Sequence, residues 1–163
     1  MVVTTRHVLN TSTCINIIRD HPVVSRPLID GFTVGTVAMS VMTFGELRVS
    51  AERSARTSEG HALEDALLVA IPAMDLTDDV AAHYGEIRAH LARTCQIIGS
   101  NDLWIGVHAR SVGATLMTSN VRGFMRIPDL RVENWASPDT LKGHAHAVHA
   151  NPTHALSPTF ALV

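Results

Sequence analysis

Short apolar runs alternate along the first 135 residues with longer segments in which apolar residues recur at helical spacing. The short runs are rich in Val, Leu, Ile, Ala and Met, as is typical of buried strands. The pattern predicts strands at residues 7–9, 35–40, 71–76, 114–118 and 130–135.

The segments between these strands carry helix signals. Asn10-Thr11-Ser12 offers caps for a first helix. Thr43-Phe44-Gly45-Glu46 has the S/T-x-x-E form of a capping box, which predicts that a second helix opens there and runs to about Arg53. Helical spacing of apolar residues predicts a third helix over Ser58–Ala70.

Two more helices are predicted in the second half of the chain. Thr77-Asp78-Asp79 starts one of them, and Ser100-Asn101-Asp102 opens the other, which Gly113 ends as a C′ residue. The helix that follows Thr77 ends before Gly99, and its predicted buried stripe consists of Val80, Tyr84, Ile87 and Leu91.

Strands that alternate with helices predict an α/β domain with a central parallel sheet of four to five strands and helices on both faces. Ligands of such sheets bind beyond the carboxyl ends of the strands. We expect this domain to span residues 1–136. From Ser137 onward the composition changes to Pro, His, Ala and Thr, which predicts an unstructured tail over residues 137–163.

Charge and cysteine content narrow the range of functions. The 163 residues suit one domain, and the formal charge is −2, so a nucleic-acid site must rest on local geometry instead of a general basic surface. Cys14 and Cys95 form no CxxC pair, and the sequence shows neither a secretory leader nor an apolar run long enough to span a membrane. We therefore expect a protein of the reducing cytoplasm with no membrane segment.

Polar side chains stand where predicted strands end or predicted helices begin. They are Asn10, Glu46, Asp102 and Asn120. Hard divalent cations such as Mg²⁺ and Mn²⁺ take oxygen ligands, so Glu46 and Asp102 can form the carboxylate part of a metal site. Each residue also has a structural interpretation, because amides and carboxylates at these points commonly cap helices or turns.

Several motifs, taken together and in order, resemble PIN domains of the VapC toxin kind. The first motif covers residues 7–12, in which apolar residues precede Asn10-Thr11-Ser12. The remaining segments that resemble this family are residues 40–47, 83–88, 98–105, 116–124 and 127–135. The resemblance therefore extends from about Arg6 to Trp135, which is far more specific than any single motif.

The resemblance implies an endoribonuclease that depends on Mg²⁺ or Mn²⁺ and hydrolyses phosphodiester bonds of structured RNA, tRNA above all. Glu46 and Asp102 would be its metal carboxylates, and Asn120 occupies the position of a fourth polar ligand. It further implies a VapB-type antitoxin whose tail blocks the active site, and a toxin homodimer.

Two positions depart from the family pattern. Asn10 stands where members carry Asp, which keeps an oxygen ligand but removes a negative charge from the metal site. Gly123 lies in an Arg-Gly-Phe that is often Arg-Glu-Phe in VapC-like proteins, which puts an accessory carboxylate of the family in doubt. The amide at position 10 is compatible with natural loss of activity, with an introduced inactivating change, and with activity that tolerates it.

Further residues have two interpretations each. Arg122 and Arg126 can hold RNA phosphates or form a solvated helix face. Thr11 and Ser12 can contact RNA or a metal ligand, or can cap a helix. The second hypothesis for the whole chain is a catalytically inactive PIN-like module that binds antitoxin or RNA. An unrelated phosphate-binding fold ranks last, because the sequence has no GxGxxG or GxxxxGK[ST] loop.

Overall fold

The computed structural model describes residues 4–19 and 35–134. The predicted tail over 137–163, the domain boundary at 136 and Trp135 lie outside these residues. Within the two described ranges, no helix is long and apolar enough to cross a membrane.

Strands and helices alternate in the order that the apolar pattern predicts. The strands are β1 (His7–Leu9), β2 (Val37–Ser40), β3 (Ala73–Met74), β4 (Thr115–Met117) and β5 (Arg131–Glu133). The helices are α1 (Thr11–Ile18), α2 (Val41–Glu52), α3 (Thr57–Ala70), α4 (Asp78–Arg93), α5 (Ser100–Ser111) and α6 (Val121–Phe124).

The described strands form one parallel sheet in the order β3-β2-β1-β4-β5. The central strand β1 is paired on both sides, so that Leu9 lies beside Met39 of β2 and Met117 of β4. The chain thus builds outward from β1 to β3, then crosses back to place β4 on the other side of β1. The expectation of an α/β fold with a parallel sheet of four to five strands is confirmed.

Consecutive side chains of β1 point to opposite faces of the sheet and enter different hydrophobic cores. Val8 packs with residues of α4 and α5, whereas Leu9 packs with residues of α1, α2 and α3. This alternation follows from the two-residue period of a strand, and both residues are fully buried. The sheet is therefore covered by helices on both faces, as predicted.

The start of α2 differs from the prediction. Ser40 caps the helix by accepting a hydrogen bond from the Met42 backbone N–H (3.2 Å), so α2 begins directly after β2 and not at a capping box on Thr43. The Thr43 hydroxyl is buried and donates to the Leu9 carbonyl oxygen (3.4 Å). Glu46 therefore lies inside the helix, where its carboxylate has no capping role and remains free for other partners.

Two other local features of the structure differ from what the sequence predicted. The helix α5 is preceded by Gly99, and no side chain of the predicted Ser100-Asn101-Asp102 cluster provides its N-cap hydrogen bond. The helix α6 was not predicted, because a single turn of four residues gives no helical periodicity to detect.

The helices α4 and α5 end in the same way. Cys95 (φ 55°) and Gly113 (φ 67°) are the C′ residues, and both adopt the left-handed conformation. After α4 the Gln96 N–H donates to the Leu91 carbonyl oxygen (2.9 Å), and after α5 the Ala114 N–H donates to that of Ala109 (2.9 Å). Both ends are Schellman motifs, and the prediction that Gly113 ends α5 is confirmed.

Candidate active site

The predicted site residues lie around the carboxyl ends of the central strands. Asn10 directly follows β1, and Asn120 follows β4. The neighbours β2 and β4 leave β1 in opposite directions along the sheet, so this edge is the topological switch point where α/β folds bind ligands. Glu46 is supplied by α2, which follows β2, and Asp102 by the first turn of α5.

Asn10 is held by both ends of its amide. Its Oδ1 accepts hydrogen bonds from the Ser12 backbone N–H and the Ser12 hydroxyl, each 3.0 Å long, which caps α1. The other end of its amide lies close to the carboxylate of Asp102 and lowers the pKa of that group. With only 5% of its surface exposed, Asn10 is fixed between its own helix and the first turn of α5.

Glu46 receives a neutral donor on each carboxylate oxygen. The Thr11 hydroxyl donates to Oε2, and the Asn101 side-chain amide donates to Oε1 over 2.9 Å. These donors come from α1 and α5, so the carboxylate of α2 connects the three helices at the edge of the sheet. Hydrogen bonds of this kind fix the direction in which a carboxylate points.

Asp102 lies close enough to Glu46 for their charges to interact. Burial raises the pKa of the Asp102 carboxyl above its ordinary value, the negative charge of Glu46 raises it further, and the hydrogen bond from Asn10 lowers it. Two carboxylates that repel one another in this way form a site whose charge a divalent cation can offset.

Two clefts flank Asn101 and Asp102. One has a volume of about 430 Å³ and is lined by Ile97, Ile98, Gly99, Asp102, Asn120, Arg122, Gly123 and Arg126. The other has a volume of about 500 Å³ and is lined by Thr11, Met42, Gly45, Glu46, Val49 and Asn101. We name them the arginine cleft and the glutamate cleft.

Asn120 lies in the arginine cleft with Asp102, and its side chain caps α6. Its Oδ1 accepts a hydrogen bond from the Gly123 backbone N–H (3.2 Å). A Cβ atom at position 123 would lie 2.6 Å from the Asn120 Nδ2 atom. Gly123 therefore makes room for this position of the Asn120 side chain, and any larger residue would displace it.

The structure brings Asn10, Glu46 and Asp102 together through direct interactions, and Asn120 shares a cleft with Asp102. Thr11 holds Glu46, whereas Ser12 holds Asn10 and also accepts a hydrogen bond from the Ser119 hydroxyl (3.1 Å). The last of these bonds ties the end of β4 to α1.

Sequence reasoning missed Asn101 and Ser119 as members of this site. Both are direct neighbours of predicted site residues, and that adjacency was the signal that could have found them. Asn101 precedes Asp102 and Ser119 precedes Asn120. Their roles depend on partners far away in sequence, so a local pattern could not indicate them.

The donor set suits an oxygen-preferring cation but carries little charge. Within the described residues, no group of three or more His, Cys, Asp or Glu side chains is placed to hold a metal ion. Glu46 and Asp102 are two carboxylates, and the third oxygen-bearing side chain next to them is the Asn10 amide. The set thus fits Mg²⁺ or Mn²⁺ in donor type, with one negative charge fewer than three carboxylates would provide.

A model of the PIN domain family matches residues 7–130, which include all of these side chains. The chain belongs to the PIN-domain family. This PIN domain is 33% identical to Ribonuclease VapC2 of Haemophilus influenzae over 132 residues, which cover 80% of the chain and 98% of that protein. It is 34% identical to the tRNA(fMet)-specific endonuclease VapC of Salmonella typhimurium, with the same coverage.

Solved structures place this PIN domain among VapC-like proteins as well. It matches a chain in the structure of VapBC-1 from nontypeable Haemophilus influenzae with a TM-score of 0.75 and 27% identity, covering 82% of this chain and 100% of that one. It matches a chain of DNA-bound VapBC from Salmonella typhimurium with a TM-score of 0.74 and 32% identity, covering 81% and 99%. The resemblance to VapC-like PIN domains is confirmed.

Proposed function

We propose that this protein is the toxin of a type II toxin–antitoxin pair and a divalent-metal-dependent endoribonuclease. Similar proteins from Haemophilus influenzae and Salmonella typhimurium are named as a ribonuclease and as a tRNA(fMet)-specific endonuclease. The observation that carries the proposal is the Glu46–Asp102 pair, two interacting carboxylates held at the switch point of the sheet.

Glu46 and Asp102 would hold Mg²⁺ or Mn²⁺, with Asn10 and Asn120 as neutral oxygen ligands. Such a cation lowers the pKa of water and stabilises negative charge that develops on a phosphate group. Thr11 and Asn101 direct the Glu46 carboxylate, and Asn10 directs that of Asp102. Arg122 would bind a phosphate of the RNA, which we propose to be a tRNA. Thr11 and Ser12 stay candidates for RNA contact.

Asn10 should reduce this activity. Its Oδ1 is occupied by two hydrogen bonds from Ser12, and its amide hydrogens face Asp102. To coordinate a cation, the side chain would have to turn and give up these bonds. An aspartate at position 10 would bring a full negative charge to the same place, so the present site should bind a divalent cation more weakly.

A second candidate function is that of a catalytically inactive PIN-like module that binds RNA or antitoxin. The Asn10 amide beside Asp102 favours it, because the amide lowers the pKa of Asp102 and so partly stabilises a carboxylate that a cation would otherwise stabilise. In either case we propose a VapB-type antitoxin as partner, a homodimer and a cytoplasmic location. Solved structures similar to this chain are described as VapBC.

The decisive experiment compares tRNA cleavage by the chain as it stands, Asn10→Asp, and Asn10→Asp combined with Asp102→Asn, in Mn²⁺ and in chelator. We expect Asn10→Asp to cleave roughly 10- to 100-fold faster than the parent chain, since even residues that only support metal ligands have effects of that size. The double variant and all chelated samples should be inactive.

The matched control is Ala81→Asp, which adds the same charge at an exposed position of α4. It should leave cleavage unchanged. Mn²⁺ binding, measured by calorimetry, gives a second readout, in which Asn10→Asp should bind more tightly and Glu46→Gln should lose binding. If Asn10→Asp binds Mn²⁺ but cleaves no RNA, the inactive-module candidate replaces the ribonuclease. If Glu46→Gln binds Mn²⁺ as the parent does, the site assignment is wrong.

A further inference from the structure

The arginine cleft contains more positive than negative side chains. Arg122 and Arg126 line it together with one carboxylate, that of Asp102. Among the described residues, neither arginine forms an ion pair, and Arg126 donates a hydrogen bond to the Ile97 carbonyl oxygen (3.3 Å). By contrast, Arg48, Arg56 and Arg110 pair with carboxylates elsewhere on the protein.

Two residues of this chain keep the cleft positive without a cation. Asn10 is neutral, and it lies close to Asp102, the one carboxylate that lines the cleft. Gly123 lies between the two arginines along the chain and contributes no side chain. The other carboxylate of the pair, Glu46, lines the glutamate cleft and is held there by Thr11 and Asn101.

We propose that the arginine cleft binds a phosphate group of the RNA without a divalent metal, through Arg122 and Arg126. This inference rests on the proposed RNA-directed function and adds where the strand is held and on what it depends. A guanidinium group presents a planar fork of donors that matches phosphate oxygens, and the pair brings two of them to one cleft. Ile97, which is 59% exposed at the cleft, offers an apolar surface for a ribose or base.

The residue at position 10 then determines whether the cleft can bind RNA without a metal ion. In the chain as it stands, two arginines and Asp102 line the cleft, a balance of +1, and the charge of Glu46 beside Asp102 offsets this surplus. Asn10→Asp would place a further carboxylate beside Asp102 and make the local balance negative. RNA would then be repelled unless a divalent cation neutralised these acids, so the variant should bind RNA in a metal-dependent way.

The test measures binding of a short fluorescently labelled RNA by anisotropy, in chelator and in Mn²⁺. We expect the parent chain to bind in chelator, and Arg122→Ala combined with Arg126→Ala to bind at least about tenfold more weakly, because each lost charge-assisted hydrogen bond is worth roughly a factor of ten. The salt dependence should fall by about 1.4 in its logarithmic slope, since each phosphate contact on a single strand contributes about 0.7.

Arg53→Ala combined with Arg56→Ala is the matched control, because it removes two exposed arginines beside the turn between α2 and α3. It should change affinity by less than about twofold. Circular dichroism of both double variants checks that they fold. In chelator, Asn10→Asp should bind more weakly than the parent, and Mn²⁺ should restore its binding.

The outcomes separate this inference from the proposed function. RNA binding by the parent only in Mn²⁺ would overturn the inference and leave the ribonuclease proposal standing. Equal losses in the two double arginine variants would overturn the assignment to this cleft. Displacement of the RNA by polyglutamate as readily as by unlabelled RNA would overturn the assignment to phosphate. Absence of RNA binding in both conditions would defeat the inference and the proposed function together.

Discussion

An amide in place of a carboxylate at position 10 is a small change of side chain that alters the chemistry of the candidate site. An amide and a carboxylate have the same shape, but only the amide can donate a hydrogen bond to Asp102. The Asn10 Oδ1 atom already accepts two hydrogen bonds from Ser12, and this fixes the donating end toward the acid. The Asn10 amide nitrogen therefore attracts the Asp102 carboxylate, whereas a carboxylate at position 10 would repel it.

The titration of Asp102 is the first prediction at this scale. Burial and the charge of Glu46 raise the pKa of Asp102, so Glu46→Gln should lower that pKa toward its ordinary value. Because the folded protein holds the Asp102 proton more tightly than the unfolded chain, ionisation of Asp102 reduces stability as pH rises from the ordinary value of 3.8 through the raised pKa.

Carboxyl carbon NMR of the chelated protein measures this titration directly. Glu59→Gln, an exposed change in the first turn of α3, provides the control and should leave the Asp102 titration where it is. An Asp102 pKa that stays equally high in Glu46→Gln would mean that the two carboxylates do not interact.

The two cysteines should differ sharply in reactivity. Burial raises the pKa of the Cys14 thiol to about 12, whereas Cys95 is exposed. The thiolate is the reactive form, so iodoacetamide at pH 8 should modify Cys95 and leave Cys14 intact in the folded protein. Mass spectrometry should find one adduct per native chain and two after denaturation. Modification of native Cys95→Ser would show that Cys14 is accessible after all.

At the scale of elements, α4 and α5 end in the same motif with different residues. Cys95 adopts a conformation that suits glycine, and Gly113 has the glycine. We expect Cys95→Gly to stabilise the protein by up to about 1 kcal/mol and Gly113→Ala to destabilise it by roughly 1–2 kcal/mol, because a Cβ atom is strained at positive φ. Urea denaturation of both variants measures the two opposite shifts. If both variants shift in the same direction, backbone strain is not the cause.

A buried acid joins α2 to α3. Glu64 of α3 is 4% exposed, accepts a hydrogen bond from Arg48 of α2 (3.3 Å) and lies 3.3 Å from the His61 Nδ1 atom. We expect Arg48→Ala to destabilise the protein by roughly 1–3 kcal/mol, because a buried carboxylate then loses its cationic partner. Thermal denaturation measures the loss. Arg56→Ala breaks the exposed pair with Glu59 and should cost less than about 1 kcal/mol.

For the whole molecule, apolar runs alone predicted the parallel sheet and its covering helices. Val8 and Leu9 explain why: the strand must bury both faces, and a parallel sheet is the arrangement in which adjacent residues of one strand can both enter cores. The strand order was not predictable in this way, because β4 pairs with β1 across nearly the whole described chain.

The candidate site was predictable to the extent that its residues follow strands in a parallel sheet. Asn10 and Asn120 could be chosen because each follows a strand, and Glu46 and Asp102 because each lies near a predicted helix start. Their orientation could not, since it depends on Thr11 and Asn101, whose partners are distant in sequence. The capping-box interpretation of Glu46 was wrong because buried Ser40 had already started the helix.

The crossing from β3 back to β4 also determines the order in which the residues of the site are synthesised. A ribosome releases the chain from its N-terminus, so β1, β2 and the Glu46 carboxylate emerge long before Asp102 and the strand that completes the other side of β1. A nascent chain that ends before α5 has Asn10 and Glu46 but lacks Asp102. The proposed metal site therefore stays incomplete until Asp102 and β4 have been synthesised.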